Sequence, residues 1–245
     1  MSLDRRGIKQ RAREIIASSK PRVLTVGMVF LLLSIVVELL GQRVLSVNVS
    51  ESEAMNYMNY VSEGNYEYAL KYLDGMTPPT SAYLIHILLS LTMSVVRAGF
   101  LIFLLNTVRG NAPAFGNLLD AFGFFPKVIV LNILKAMLVF LWSLLLFFPG
   151  VIAHYRYSQA IYLLIDDPTK SPVQCLRESR LLMNGHKAEL FELDLSFIGW
   201  YLLAAFPTFG YAVQFWSTPY IATTKTLYYD RLVGRRAAQT VTASE

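Results

Sequence analysis

Residues 171–201 read SPVQCLRESRLLMNGHKAELFELDLSFIGWY. The stretch opens as a water-facing helix carrying Arg177, Glu178, Arg180 and Lys187, and after Glu189 it turns apolar with no long linker between. Ser171 is placed to cap the helix and Pro172 to start it, because a serine oxygen satisfies an orphan N–H and proline has none to lose. A surface helix, a small-residue break ending in lysine and a membrane helix therefore follow one another directly.

Working outward, the same solvent logic holds along the chain. Its 245 residues are 54% hydrophobic and 16% charged, with a mean hydropathy of +0.43, which lies outside the balance of a water-soluble domain. A helix needs roughly 20 apolar residues to cross the hydrocarbon core, and six windows approach that length, near 23–40, 83–108, 127–148, 151–165, 189–206 and 211–229. The first is read as a retained membrane helix, since it lacks the short apolar core and small-residue cleavage site of a secretory signal. The single cysteine, Cys175, excludes an internal disulfide.

With the N-terminus inside, the inner segments hold sixteen Lys and Arg residues and the outer ones only Arg43 and Lys71. That asymmetry predicts a multi-pass plasma-membrane protein with both termini cytoplasmic. The net charge of +5 then points to anionic inner-leaflet lipid as the partner and not to nucleic acid, because the basic groups lie beside membrane helices. No cofactor is implied, and the sequence names no protein partner.

Ile8, Ala12, Ile15 and Ile16 form one stripe of a basic amphipathic helix, which is expected to lie at the inner interface. Residues 41–80 form an external loop, acidic and rich in tyrosine, with two short helical patterns at 54–61 and 66–73. In the second span His86, Ser90, Ser94 and Arg97 share a face that is expected to turn inward. Phe115, Leu118, Leu119 and Phe122 then repeat the amphipathic spacing before a break at Gly123–Pro126. Pro219 in the sixth span predicts a kink eased by Thr218, Thr223 and Thr224.

Shifting the chain by 58 residues superposes Trp142 on Trp200 and Tyr162 on Tyr220, and a looser copy starts at the N-terminus. These matches predict an all-α, six-helix polytopic transmembrane bundle built from three parallel repeats, each an interfacial amphipathic helix plus a transmembrane hairpin. Residues 1–230 would form one membrane domain, and 231–245 a flexible cytoplasmic tail.

At SRLLMNGHKAELFELDLSFIGWYLL, residues 179–203, the chain resembles the bacterial integral membrane proteins grouped as domain of unknown function 975. The residues that carry the likeness include Gly185, His186, Lys187, Ser196, Gly199 and Trp200. The resemblance implies a multi-span bacterial membrane protein and supplies no activity. Gly185-His186-Lys187 lacks the glycine spacing of a phosphate loop and reads as a helix-to-span corner. The small residues Ser196 and Gly199 suit close helix packing.

The candidate intramembrane polar cluster is Arg97, Lys135, Arg156 and Asp194. Counted at about 1.5 Å per residue from the inner ends, their depths run from about 8 Å for Asp194 to about 16 Å for Arg97, so they overlap. One reading is structural, with Asp194 paired to Lys135 or Lys187; the other is a site for an anionic group such as a lipid phosphate. Three function classes follow: a non-enzymatic binder of anionic lipid or a partner at the inner leaflet, a transporter or permease for a small anionic or amphiphilic solute, and an intramembrane lipid-modifying enzyme. No catalytic residue, cofactor site or metal site is assigned.

Overall fold

A computed structural model of the chain describes residues 4–47, 50–206 and 209–242. Every regular element among them is helical: α1 (Arg5–Ser18), α2 (Val23–Leu45), α3 (Glu51–Ser62), α4 (Tyr66–Gly75), α5 (Thr80–Arg109), α6 (Asn117–Asp120), a 3-10 turn (Ala121–Phe124), α7 (Phe125–Leu145), α8 (Phe147–Arg156), α9 (Ala160–Asp166), α10 (Pro172–Leu182), α11 (Lys187–Leu195), α12 (Ile198–Ala204) and α13 (Gly210–Thr242). The chain divides into two compact units, residues 1–32 with 94–245, and residues 33–93.

Local signals set the helix ends. Ser171 accepts from the Gln174 N–H with Pro172 in the first turn of α10, as its sequence predicts. Asp4 caps α1 by accepting from the Gly7 N–H. Gly185 sits at φ 81° in the turn between α10 and α11, a left-handed conformation that favours glycine and makes the predicted corner.

The core of the larger unit joins five segments. Val95, Ala98 and Ile102 of α5 pack with Val128 and Leu131 of α7, with Ala153, Tyr157, Ala160 and Leu164 of α8 and α9, and with Cys175 and Leu176 of α10. The α7–α8 turn is close: a Cβ on Gly150 would fall 2.0 Å from Ser143 Oγ, so only glycine fits there. Burial of Cys175 pushes its thiol pKa up and leaves it a small apolar core residue. Leu118 is buried but Phe115, Leu119 and Phe122 stay exposed, so the amphipathic helix expected at 112–122 reduces to α6 and the 3-10 turn.

The α1 stripe is buried as one face, Ile8, Ala12, Ile15 and Ile16 all being covered. Its cover is protein, for α1 packs on α13. Lys9 lies 4.1 Å over the Phe197 ring and donates to the Ser196 carbonyl at 2.9 Å, Arg13 lies 5.5 Å over Tyr220, and Arg5 pairs with Glu192 at 3.5 Å. The stripe is therefore covered by protein, with α13 and residues 192–197 packed around α1.

Three helices are long and apolar enough to cross a membrane: Val23–Leu45, Thr80–Arg109 and the run Asn117–Leu145. They agree with the first three windows. Their exposed apolar side chains, such as Leu32, Leu84, Phe140 and Leu144, would be unfavourable in water and suit lipid. The other three windows depart from the expectation of six continuous spans. The fourth breaks into α8 and α9, because the Ser179 hydroxyl donates to the Arg156 carbonyl and accepts from the Gln159 N–H, satisfying the backbone that the break frees. The fifth breaks at Ser196–Phe197, where Lys9 takes up the Ser196 carbonyl. The sixth stays continuous within α13, with Lys225 its one charged residue, and α13 is not among the three helices apolar enough to cross.

Within α13, Thr223 and Thr224 donate to the Pro219 and Tyr220 carbonyls at 2.7 and 2.8 Å. They bond the turn before each of them, not the carbonyl of Phe215 that proline leaves free. The helix continues to Thr242 through most of the expected tail, whose last residues, 243–245, lie outside the described residues. The repeat copies are not alike element by element: the third window is one helix and its counterpart two, while the fourth is two and its counterpart one.

In the smaller unit the two loop patterns form α3 and α4. Ser50 and Glu53 make a reciprocal capping box at the start of α3. Tyr60 stacks on Tyr68 and tilts against Tyr72, each at 5.8 Å between centroids.

Candidate functional site

Asp194 lies in the last turn of α11, where its carboxylate meets two partners. Lys225 Nζ of α13 stands 2.7 Å from Oδ1, an ionic contact too oblique to be a good hydrogen bond, and the Tyr155 hydroxyl of α8 donates to Oδ2 at 3.2 Å. The Phe191 ring, one turn before Asp194, holds the Tyr155 ring edge-on at 5.8 Å. The partners expected from the sequence, Lys135 and Lys187, are not the ones used. The reason is hairpin register: Asp194 and Lys225 stand at similar distances in chain on either side of the turn before Gly210, which returns one to the level of the other.

Around this pair the charges are unbalanced. Lys135 of α7 lies within electrostatic reach of Arg97 and Lys225, and His154 within reach of Lys135, Lys225 and Asp194. Neither Lys135 nor Arg97 makes an ion pair among the described residues. Arg97 is exposed, so the His86–Arg97 face is not turned wholly inward as expected. Lys135 thus lies within electrostatic reach of Arg97 and of Lys225, and Lys225 pairs with Asp194. Arg156 ends α8 at the α8–α9 break, and its Nε is buried without a hydrogen-bond partner among the described residues. Counting Arg97, Lys135 and Lys225 against Asp194 leaves two positive charges in excess. A cation excess of this kind suits an anionic oxygen group, because a guanidinium and two ammonium groups supply charge-assisted donors.

The 185–200 motif plays a different part. The Tyr228 hydroxyl donates to the His186 carbonyl at 3.0 Å, while His186 Nδ1 lies 3.2 Å from Glu189, which Arg235 approaches at 3.7 Å. Lys187 opens α11. The motif therefore fixes the α10–α11 corner to α13. A Cβ on Gly199 would meet nothing within 4 Å, so the close packing expected at Ser196 and Gly199 is absent there. Ser196 ends α11 instead, and Trp200 lies half-buried in α12.

Sequence reasoning missed a second charged cluster at the C-terminal ends of α5 and α9. Arg109 donates to both oxygens of Asp166, at 2.7 and 3.1 Å, and its Nε to Asp230 at 2.8 Å. The Tyr229 hydroxyl also donates to Asp166; its ring stacks on Tyr162, whose hydroxyl contacts Thr226. Asp166 and Asp167 stand just before Pro168, where carboxylates are ordinary at a helix end. Asp167 does serve as such a stop, its carboxylate accepting from the Thr169 N–H and hydroxyl, which holds it below the usual range. Nearby, Lys127 donates to the Pro168 and Thr169 carbonyls at 2.6 and 3.1 Å, and Lys170 pairs with Glu178, which raises its pKa.

The segment that carries both clusters' acids can be compared with known families. Residues 144–236 match the family model described as protein of unknown function (DUF975). The resemblance read from residues 179–203 lies inside that match, and so do Arg156, Asp166, Asp194, Lys225 and Asp230. Arg97, Lys135 and Arg109 lie outside the DUF975 segment, so each cluster joins it to the preceding helices. No curated protein and no solved structure matches the chain.

Proposed function

We propose that this is a multi-pass protein of the bacterial plasma membrane, both termini cytoplasmic, that binds the phosphate of an anionic inner-leaflet lipid at Arg97, Lys135 and Lys225. The role is binding and not catalysis: Asp194, the one carboxylate of the cluster, is already engaged by Lys225 and Tyr155 and is not free as a base. The observation that carries the reading is the excess of cations over that single acid. Uncompensated positive charge on apolar helices is unfavourable, and a bound anion would offset it. The expected six-span, three-repeat arrangement belongs to the same reading.

The test is lipid retention. Wild type and an Arg97→Gln/Lys135→Gln variant are purified in a mild maltoside, and co-purifying phospholipid is measured by mass spectrometry. The variant is expected to lose several-fold of its phosphatidylglycerol while keeping its melting temperature. Equal lipid content in the two proteins would sink the proposal.

A second reading, transport of a small anionic or amphiphilic solute, draws on the broken helices α8–α9 and α11–α12, since discontinuous helices are a common way to form a substrate site within a bundle. Uptake of labelled anionic solutes by a deletion strain and its parent distinguishes the two readings.

A further inference from the structure

The smaller unit, residues 33–93, contains an ordered group of aromatic rings that forms no core. α3 buries no residue and α4 buries only Ala69. Yet Tyr60, Tyr68 and Tyr72 are held together, Tyr60 being 5.8 Å from each of the others. The Asn56 amide donates to the Tyr72 hydroxyl at 3.3 Å, tying α3 to α4 at this point. Packing of a hydrophobic interior does not explain the arrangement, because Tyr68 is 56% exposed.

The rings line a half-open cleft of about 450 Å³, together with Glu53, Lys71 and Met76. That size lies within the range of small-molecule sites, about 300–1,000 Å³. Its walls carry one charge of each sign. Glu53 is fixed in place: both the Ser50 N–H and the Ser50 hydroxyl bond to its Oε2, which leaves Oε1 available. Those bonds hold its carboxyl below the ordinary range, so it stays ionised. Lys71 is exposed and makes no ion pair among the described residues.

Tyrosine faces attract cations within about 6 Å of the ring centroid, and an adjoining carboxylate strengthens that attraction. A free ammonium on the same cleft disfavours a simple cation and favours a ligand that also carries an anionic group. We infer that the cleft binds a small zwitterion, its ammonium or quaternary ammonium against the tyrosines and Glu53 and its phosphate or carboxylate at Lys71. Tyr60 and Glu53 read the positive end, and Lys71 reads the negative end. The inference is independent of the lipid site in the larger unit.

The experiment uses the full-length protein in a maltoside and phosphocholine as the probe, with choline and inorganic phosphate as half-ligands, all followed by titration calorimetry. Phosphocholine is expected to bind saturably and more tightly than either half. Lys71→Glu is expected to weaken phosphocholine by about tenfold or more, close to 1.4 kcal/mol, while leaving choline binding equal or tighter. Tyr60→Ala is expected to abolish both, and Tyr72→Phe, which keeps the ring, neither. Because Lys71 is exposed, its variant reports on the site even if Tyr60→Ala disturbs the unit.

Repeating the titration in phosphatidylcholine and phosphatidylglycerol nanodiscs separates two sources of the same chemistry. Competition confined to the phosphatidylcholine discs assigns a lipid headgroup, equal binding in both assigns a soluble zwitterion, and either result upholds the site. The inference is overturned by an absence of saturable phosphocholine binding, by choline binding as tightly as phosphocholine, or by wild-type affinity in both Lys71→Glu and Tyr60→Ala.

Discussion

Arg109 and Lys135 are both basic residues on long apolar helices, and their surroundings are opposite. Arg109 meets two aspartates, Asp166 and Asp230, from two other helices, and its three charge-assisted hydrogen bonds to them close the helix ends together. The charges within electrostatic reach of Lys135 are the cations Arg97 and Lys225, and it makes no ion pair among the described residues. The first group is balanced within the chain, whereas the second holds more cations than acids, the imbalance on which the proposed lipid site rests. The contrast separates a structural use of charge from a binding use. It also predicts that charge removal has opposite consequences in the two places.

The largest effect is expected at Arg109. Arg109→Leu strands two carboxylates, and breaking a buried pair in this way costs about 3–5 kcal/mol. Here the side chains retain 30%, 24% and 37% of their exposure, so solvent screening reduces the loss to about 2 kcal/mol. Thermal unfolding in detergent should show a melting temperature lowered by several degrees, with Arg109→Lys intermediate because an ammonium cannot fork between two acids. An unchanged melting temperature in Arg109→Leu would remove the structural half of the comparison.

Why one half of this contrast could be read from sequence and the other could not comes down to distance along the chain. Local signals were legible: the Ser171 cap, the Gly185 corner, the α1 stripe and both loop helices each depend on neighbours within a turn or two. Arg97, Lys135 and Asp194 were legible as a group because charge inside apolar runs is rare. Their pairing was not, since it depends on hairpin register, and register gave Asp194 to Lys225. The Arg109 node escaped notice for a related reason: Asp166 and Asp230 lie at helix ends, where a carboxylate is ordinary. The helix breaks were hidden too, because they depend on Ser179 and Lys9, residues distant from the windows they interrupt.

A middle-sized effect should come from Asp194, the one residue that gives the second region any internal balance. Asp194→Asn keeps an acceptor for Tyr155 but leaves Lys225 without its counter-charge, at a cost of about 1 kcal/mol for a partly exposed pair. It also raises the cation excess, so retained anionic lipid should increase while stability in lipid-free detergent falls. Adding Lys225→Met should restore stability and return lipid retention toward wild type, a coupling visible in a double-mutant cycle. If Asp194→Asn retains less anionic lipid than wild type, Asp194 belongs to the binding surface itself and the charge count is the wrong guide.

The smallest effect on stability, and the one that distinguishes the two regions most sharply, is expected at Lys135. Lys135→Met keeps the length and most of the volume of the side chain and removes a charge that has no acid beside it. Replacing such a charge by an apolar group of similar shape is neutral or stabilising, because no partner is stranded and the cost of desolvating the ammonium disappears. The melting temperature in lipid-free detergent should therefore stay level or rise, the reverse of Arg109→Leu, while co-purifying phosphatidylglycerol falls. A clear drop in melting temperature without lipid present would mean that Lys135 is bound into the fold as Arg109 is, and the two regions would then differ in degree and not in kind.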